Sequence, residues 1–358
     1  MSIQVTKTFM PPIEEYQSLI ETLWQSHMLS NNGLLVQQLE QSLKKYLDVE
    51  HLLFCTNGTI ALQLAIKALQ LSKEIITTPF SYVATTNSIL WENCTPVFVD
   101  IHTDNFCIDA DKIEESITEN TQAILATHVF GHPCDIEKID AIAKKYNLKI
   151  IYDAAHSFGS LYKNKSLLSY GDVATGSFHA TKIFHTIEGG CVTTNNIDIA
   201  VQLLQKRDHG FINKESKTFG TNARQSEFHA AMGICNLKYI EQLLKKRKSD
   251  TELYFSFLKD TDLSFPKIKQ DETYNYAYFP VIFTNEQSLL KAVECLEKKE
   301  IFCRRYFYPS LNTLPYLTNT ECVIADDISK RILCLPMSYD LTEENIKLIC
   351  GLIFHERV

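Results

Sequence analysis

Short apolar segments rich in β-branched residues alternate along the first two thirds of this chain with segments whose apolar residues recur at helical spacing. HLLFC at 51–55, EIITTP at 74–79 and LKIIY at 148–152 are typical of strands, and the helix-like IALQLAIKAL and DIEKIDAIAKKYN lie between them. Such alternation favours a mostly parallel sheet with helices on both faces. The pattern therefore predicts an α/β fold.

The pattern changes near residue 240. A charged helix, IEQLLKKRKSDTELYFSFL, is followed there by the strand-like YAYFPVIF, another helix and the basic aromatic segment RRYFYP. We expect a large domain at 1–240 and a smaller α+β domain at 241–358, which a chain of 358 residues with 45% hydrophobic content can fill. The KKRK run at 245–248 indicates a solvated helix face.

Composition limits the partners and the compartment. Lys and Arg total 35 against 43 Asp and Glu, and the net charge of −8 argues against nucleic acid but not against a small anionic ligand. Eleven cysteines without a CxxC pair, and a polar N-terminal segment, indicate free thiols in the cytoplasm. Because no apolar stretch approaches ~18–20 residues, we expect no membrane span.

Polar residues follow three of the predicted strands. Asn57–Thr59 follows HLLFC, Asp153 follows LKIIY, and Ser177, His179 and Lys182 follow DVATG. Ligands of open parallel sheets bind outside the carboxyl ends of the strands, so these loops should converge at one edge.

Each loop has a functional and an ordinary interpretation. TNGT before a helix can bind phosphate through free amides and the helix dipole, or Asn57 can simply cap the helix. Asp153 can pair with a protonated ring nitrogen or cap a helix, and Lys182 can form a Schiff base or be a solvated charge. Together the loops indicate pyridoxal phosphate (PLP), held at its phosphate, ring nitrogen and aldehyde carbon. Neither GxxxxGK[ST] nor GxGxxG occurs, which disfavours nucleotide hydrolases and Rossmann dehydrogenases.

A second group of polar residues suggests a metal only weakly. His128, His132 and Cys134 lie close together in HVFGHPC, but no second cluster at ligand spacing accompanies them. We therefore expect no metal site.

Six segments occur in an order that resembles the DegT-type sugar-nucleotide aminotransferases, of PLP fold type I. They are TNGTIALQLAI, TTPFSYVATTNSI, HVFGHPCDIEKI, IYDAAHSFGS, SFHATKIFHTIEGG and GTNARQSEFHAAMG, and the resemblance runs nearly from end to end of the chain. The resemblance implies the aspartate aminotransferase-like fold, a large domain with a mostly parallel sheet and a smaller C-terminal domain. It also implies that Lys182 carries PLP through a Schiff base and, with Asp153 at the pyridine nitrogen, forms the catalytic pair.

The resemblance extends to the other cofactor contacts. It implies that Tyr82 stacks on the ring, that His156 borders it, and that Asn222 reaches the phosphate of the neighbouring subunit in a homodimer with shared sites. Phosphate contacts are implied for Gly58, Thr59 and Ser177. Substrate contacts are assigned to His179, His185, Arg224, Arg304, Arg305, Tyr306 and Tyr308.

Within the family, ATKIFHTIEGG resembles the branch that aminates C4 of a 6-deoxy sugar nucleotide such as dTDP-4-keto-6-deoxyglucose. Glutamate is the implied donor, and the product is expected to enter surface polysaccharide. Ala223 and Gln225 stand where the family often reads NYRM, and Asn312 stands where relatives commonly have His. Alternatives are amination at C3, a UDP-sugar substrate, a PLP-dependent sugar dehydratase, a non-catalytic sensor and a metal-dependent hydrolase. The dehydratases have His where Lys182 stands.

Overall fold

The computed structural model describes residues 2–212, 215–318 and 320–354. Its strands are β1 Ile3–Gln4, β2 His51–Cys55, β3 Glu74–Thr77, β4 Thr95–Phe98, β5 Thr121–Thr127, β6 Lys149–Asp153, β7 Leu161–Tyr162, β8 Lys165–Ser166, β9 Val173–Ser177, β10 Gly190–Thr194, β11 Phe211–Ile212, β12 Glu215–Ser216, β13 Glu272–Thr273, β14 Phe279–Ile282, β15 Ile301–Phe302 and β16 Ile332–Leu335. Its α-helices are α1 Ile13–Ser26, α2 Leu34–Leu47, α3 Gly58–Ala68, α4 Val83–Trp91, α5 Ile136–Tyr146, α6 Ile197–Arg207, α7 Glu227–Leu237, α8 Ile240–Leu258, α9 Glu286–Glu297, α10 Val323–Arg331 and α11 Glu343–Phe354. Short 3-10 helices lie at Ala110–Lys112, Glu114–Ser116, Val129–Gly131, Leu167–Ser169 and Leu311–Thr313.

Seven strands form the central sheet, in the order β2-β10-β9-β6-β5-β3-β4. Neighbouring strands from β9 to β4 are parallel, and β10 runs antiparallel to both β2 and β9. The prediction of an α/β fold with a mostly parallel sheet is therefore confirmed. The carboxyl ends of β2, β6 and β9 lie at one edge of this sheet, as the strand order requires.

Successive side chains of a strand point to opposite faces of the sheet. Because these strands are continuously apolar, both faces of the sheet are apolar. One face and helix α5 share the buried side chains Ile76, Ile124, Ile150, Ile139 and Ile142. The other face and helices α3 and α4 share Ile75, Leu125, Ile151, Leu62 and Ile89. This two-sided burial explains why the strands are continuously apolar in sequence.

A further apolar cluster is formed mostly by residues C-terminal to the central sheet, together with the N-terminal strand β1. Strands β14 and β16 pair antiparallel, β1 pairs in parallel with β15, and helices α8, α9 and α11 contribute to the same cluster. Helix α8 begins at Ile240, close to the predicted domain boundary. The limits 1–240 and 241–358 stay a prediction, and their outer ends at residues 1 and 358 lie outside the described residues.

The helices of the described chain lack the combination of length and apolar character needed to cross a membrane. The longest, α8, has 19 residues and carries the KKRK run. That run is not a uniformly solvated face: Lys245 and Lys248 are exposed, but Arg247 is buried.

Candidate active site

The three predicted loops meet around a cavity of about 480 Å³. The predicted site residues that line it are Gly58, Thr59, Tyr82, Asp153, His156, Ser177, His179, Lys182, Arg304 and Tyr306. All but Tyr82, Arg304 and Tyr306 lie at the carboxyl ends of β2, β6 and β9 or shortly after them in sequence. The cavity has room for a small cofactor and part of a substrate.

The loop between β2 and α3 forms a cradle of backbone groups. The Asn57 side chain accepts a hydrogen bond from the Ile60 amide at 2.9 Å, so the ordinary capping interpretation of this residue also holds. A Cβ atom on Gly58 would lie 2.9 Å from Cβ of Ser177. Only glycine therefore fits beside Ser177, and the first turn of α3 can present its amides to an anion there.

Asp153 ends β6 and is 5% exposed. Its Oδ2 accepts a hydrogen bond from the Thr85 hydroxyl at 2.7 Å, and its Oδ1 accepts one from the Ala155 amide at 3.1 Å. Burial raises the pKa of Asp153, and these two hydrogen bonds and the Lys182 ammonium oppose the increase. A cationic partner in the cavity would stabilise the carboxylate further.

Thr85 is itself held by a short chain of hydroxyl groups. Ser81 Oγ lies 2.7 Å from Thr85 Oγ1, and the Thr127 hydroxyl lies 3.1 Å from Ser81 Oγ. All three side chains are buried. The chain fixes the direction of the hydrogen bond to Asp153, and so the orientation of the carboxylate.

Lys182 lies in the loop after β9. Its Nζ donates a hydrogen bond to the Tyr278 hydroxyl at 3.1 Å. Burial lowers the pKa of Lys182, while the nearby Asp153 carboxylate opposes the decrease. A larger fraction of the amine is thus unprotonated at neutral pH than for an exposed lysine, which suits a nucleophile or a base.

His156 forms one wall of the cavity. Its Nδ1 accepts a hydrogen bond from the Phe130 amide at 3.2 Å, and its ring stacks on Phe307 with centroids 5.5 Å apart. Burial holds the pKa of His156 well below its usual range, so the ring is neutral. A neutral flat ring at this place can contact the face or edge of a planar cofactor.

Polar and aromatic side chains surround the mouth of the cavity. His179 Nε2 lies 3.3 Å from Glu188 Oε1, and Tyr82 is 59% exposed. Arg304 and Tyr306 reach the mouth from the segment after β15. These groups can contact a ligand larger than the cofactor.

Four predicted substrate residues lie outside the cavity, and three of them are His185, Arg305 and Tyr308. His185 is buried, and its Nε2 donates to the Phe9 carbonyl at 2.7 Å, so it anchors the N-terminal segment instead. Arg305 donates to Glu286 Oε1 at 2.7 Å and to the Lys330 carbonyl. Its guanidinium lies 3.7 Å from the ring centroid of Tyr308. These contacts engage the three side chains elsewhere in the chain, and none of the three lines the cavity.

Asn222 and Arg224 also lie outside the cavity of their own chain. Arg224 Nε donates to Asn222 Oδ1 at 3.3 Å. Nearby, Gln225 Nε2 donates to the carbonyls of Thr56 at 3.2 Å and Glu188 at 2.8 Å. Gln225 thereby joins the cradle loop to the lysine loop. The other departures from the family pattern, Ala223 and Asn312, are fully buried away from the cavity.

The residues of the weaker metal hypothesis have other partners. His128 Nδ1 accepts from the Cys134 amide at 3.1 Å, and His132 Nδ1 lies 2.6 Å from Glu272 Oε1. No group of metal-ligating side chains was found among the described residues.

Sequence reasoning missed several residues of the cavity. Tyr278 and Phe307 come from distant parts of the chain and Thr6 comes from the N-terminal segment, while Thr85 does not line the cavity but donates a hydrogen bond to Asp153. None of Tyr278, Phe307 and Thr6 follows a strand of the central sheet, so the strand-end rule could not have found them, whereas Thr85 lies after β3, in the first turn of α4.

The described residues fit PLP. A glycine cradle at a helix N-terminus suits a phosphate, a buried carboxylate suits a protonated pyridine nitrogen, and an amine of lowered pKa suits an aldehyde. One cavity contains all three groups.

Comparisons with known proteins agree with this fit. Residues 12–354 match the model of the DegT/DnrJ/EryC1/StrS aminotransferase family. A dTDP-4-amino-4,6-dideoxy-D-glucose transaminase from Shigella dysenteriae is 38% identical over 359 residues, with 98% of each chain covered. The structure of DesI with its TDP-sugar product has a TM-score of 0.93 at 27% identity, covering 98% of this chain and 92% of DesI. A Bacillus cereus structure described as a PLP-dependent aminotransferase has a TM-score of 0.90 at 25% identity, covering 99% and 100%.

Proposed function

Because the chain belongs to the DegT/DnrJ/EryC1/StrS aminotransferase family, we propose that it uses PLP to transfer an amino group from glutamate to C4 of a nucleotide-linked 4-keto-6-deoxy sugar. The observation that carries the proposal is the meeting of Lys182, Asp153 and the Gly58 cradle in one cavity. The favoured substrate is dTDP-4-keto-6-deoxyglucose, supported by the name of the 38% identical Shigella dysenteriae relative.

Different residues of the chain would bind the cofactor and transfer the proton. PLP supplies an electron sink that makes a carbon-bound proton of the substrate acidic. The first turn of α3 and Ser177 would hold its phosphate, and Asp153 would keep its ring nitrogen protonated. The Lys182 amine would accept the proton from the substrate carbon and return it to the cofactor side. Ping-pong kinetics are expected because the donor product leaves before the sugar binds.

The sugar nucleotide would bind at the mouth of the cavity, and Arg304 and Arg305 provide a matched pair to test this. Arg304→Ala should raise the KM for the sugar nucleotide roughly 10-fold, because a guanidinium at the mouth can donate charge-assisted hydrogen bonds to a diphosphate. Arg305→Ala should change that KM little, since Arg305 already binds Glu286 and the Lys330 carbonyl. Steady-state kinetics with both variants measures the difference. Equal effects would contradict this placement of the substrate.

A homodimer with shared sites is part of the proposal. Asn222 is assigned to the phosphate of the neighbouring subunit, and it does not line the cavity of its own chain. Mixing inactive Lys182→Ala and Asn222→Ala chains should restore about half of the wild-type activity in each mixed dimer, since both lesions then fall in one site. Mixing Lys182→Ala with Asp153→Asn is the control, because each site of that mixed dimer keeps one lesion. Native mass spectrometry verifies subunit exchange. No rescue in verified mixed dimers would contradict the shared site.

A cytoplasmic location is also proposed, and it is supported by the eleven cysteines, all of which are free.

The whole proposal is tested by incubating the holoenzyme with glutamate and a panel of free keto acids and dTDP-, UDP- and GDP-linked keto-sugars, followed by mass spectrometry and NMR. We expect the amine at C4 of the dTDP sugar. An amine at C3, or a preference for a UDP sugar, would contradict the branch. Activity on free keto acids alone would contradict the substrate class, loss of a hydroxyl without amination would indicate a dehydratase, and no turnover of any compound would indicate a sensor.

A further inference from the structure

Tyr278 is the cavity residue in direct contact with the Lys182 amine. The two side chains meet through a hydrogen bond of 3.1 Å from Nζ to the phenolic oxygen, although 96 residues separate them in sequence. We infer that Tyr278 positions the Lys182 amine for proton transfer. The inference rests on the proposed function, since it assigns Tyr278 a part in the same chemistry.

The ring of Tyr278 is fixed by aromatic neighbours on several sides. The His156 ring lies 5.1 Å away at an interplanar angle of 69°, Phe130 lies 5.5 Å away, and Tyr306 lies 5.9 Å away at 87°. Edge-to-face contacts of this kind restrict rotation of a ring. The phenolic oxygen therefore has a defined place in the cavity.

The backbone of Tyr278 is fixed relative to the loop that follows Asp153. The Tyr274 hydroxyl donates to the Tyr278 carbonyl at 3.1 Å. Asn275 Nδ2 donates to the carbonyls of His156 at 2.7 Å and Phe158 at 3.0 Å. The segment 274–278 thus joins the phenol, and through it the amine, to the loop that follows the buried carboxylate of Asp153.

The phenol orients the amine but does not exchange protons itself. Burial raises the pKa of Tyr278, and only the Arg247 guanidinium opposes this among its largest influences. A neutral phenolic oxygen can accept the N–H of Lys182 and so limit the rotation of the amine about its long side chain. Lys182 alone then gains and loses the transferred proton, and the proton balance of the reaction is unchanged.

Both groups have titratable neighbours, and any pH measurement reports on all of them. The groups that influence Lys182 or Tyr278 electrostatically, or that contact their side chains, are Asp153, His156, Tyr82, Tyr306, Arg247, Cys334 and Tyr274. Replacing only the phenolic oxygen leaves these neighbours in place, so a single-atom change isolates its effect.

The test compares Tyr278→Phe with Tyr254→Phe in the full-length chain. Tyr254 is the control because its buried hydroxyl donates to the Pro336 carbonyl at 2.9 Å and does not line the cavity. The first measurement needs no turnover: the PLP-free chain is trace-labelled with deuterated acetic anhydride over a pH series, and mass spectrometry gives the pKa of Lys182. We expect Tyr278→Phe to lower this pKa by about one unit, because the ammonium loses a hydrogen-bond acceptor, and Tyr254→Phe to leave it unchanged.

The second measurement is steady-state kinetics of the holoenzyme. Tyr278→Phe should reduce kcat roughly 10-fold with little change in the KM for glutamate, because orientation of the amine matters in the proton transfer and not in donor binding. Because Lys182 must be unprotonated to accept the proton, its titration governs the acidic limb of the kcat profile, and that limb should move to lower pH with the labelled pKa. If Tyr278→Phe does not fold, Tyr278→Met fills the space without a hydroxyl and is measured in the same way.

An unchanged Lys182 pKa together with an unchanged kcat would overturn the inference. A pKa shift without any transamination by the wild-type chain would support the positioning of the amine while overturning the proposed function. A loss of kcat equal in Tyr278→Phe and Tyr254→Phe, with no pKa shift in either, would reduce Tyr278 to a structural role and overturn the inference.

Discussion

Replacing Lys182 by alanine should lower the transamination rate by roughly 10³-fold or more, because the chain then lacks the amine that attaches the cofactor and moves the proton. The fold should persist, since Lys182 makes its one described side-chain hydrogen bond to Tyr278 at the cavity. Stopped-flow absorbance with glutamate measures the first half-reaction, and circular dichroism checks the fold.

Lys163→Ala serves as the matched control for that variant. Lys163 is an exposed lysine paired with Glu137, and its removal should leave the rate unchanged. Substantial transamination by folded Lys182→Ala would show that another group supplies the amine, and the assignment of the site would then be wrong.

Replacing Asp153 by asparagine should lower kcat roughly 10²-fold or more while the chain still binds PLP. A neutral amide cannot hold the ring nitrogen protonated, and only one of its two polar atoms can accept the hydrogen bonds that Thr85 and the Ala155 amide now donate to the carboxylate. Absorbance measures PLP binding, and steady-state kinetics measures kcat.

Two variants help to interpret the Asp153 result. Thr85→Val removes one hydrogen bond but keeps the charge, so its kcat should fall less than that of Asp153→Asn. Asp140→Asn changes a half-exposed carboxylate on α5 and should have no effect. Near-normal turnover by Asp153→Asn would contradict the role of the carboxylate.

The centre of the site was predictable because it follows from the order of the strands. Asp153 and Ser177 end neighbouring parallel strands, and β2 ends beside them across β10. Their side chains must therefore approach one another whatever the rest of the chain does. The same rule explains why Lys182, five residues after Ser177, lines the same cavity.

The outer part of the site was less predictable because it depends on local chain direction and on distant contacts. Arg304 and Arg305 are neighbours in a segment that bridges to β16 at Cys334, and neighbouring residues of an extended chain point to opposite sides. Only one of the two could face the cavity. His185 lies three residues after Lys182, yet the loop turns inward there and buries it beside Asn236.

Tyr278 and Thr85 show the same limit of sequence reasoning. Both touch the proposed catalytic pair, but only through packing between segments 68 to 96 residues apart. No local periodicity or turn signal in YAYFPVIF or SYVATTNSI indicates such contacts. Both contacts depend on the three-dimensional placement of these side chains.

The most direct test of the account is to identify the lysine that carries PLP. The holoenzyme is reduced with borohydride, digested, and analysed by peptide mass spectrometry. We predict a phosphopyridoxyl group on Lys182, in the peptide that contains SFHATKIFH, and none when Lys182→Ala is treated in the same way. A phosphopyridoxyl group on another lysine, or an unlabelled chain that nevertheless transaminates, would contradict the account.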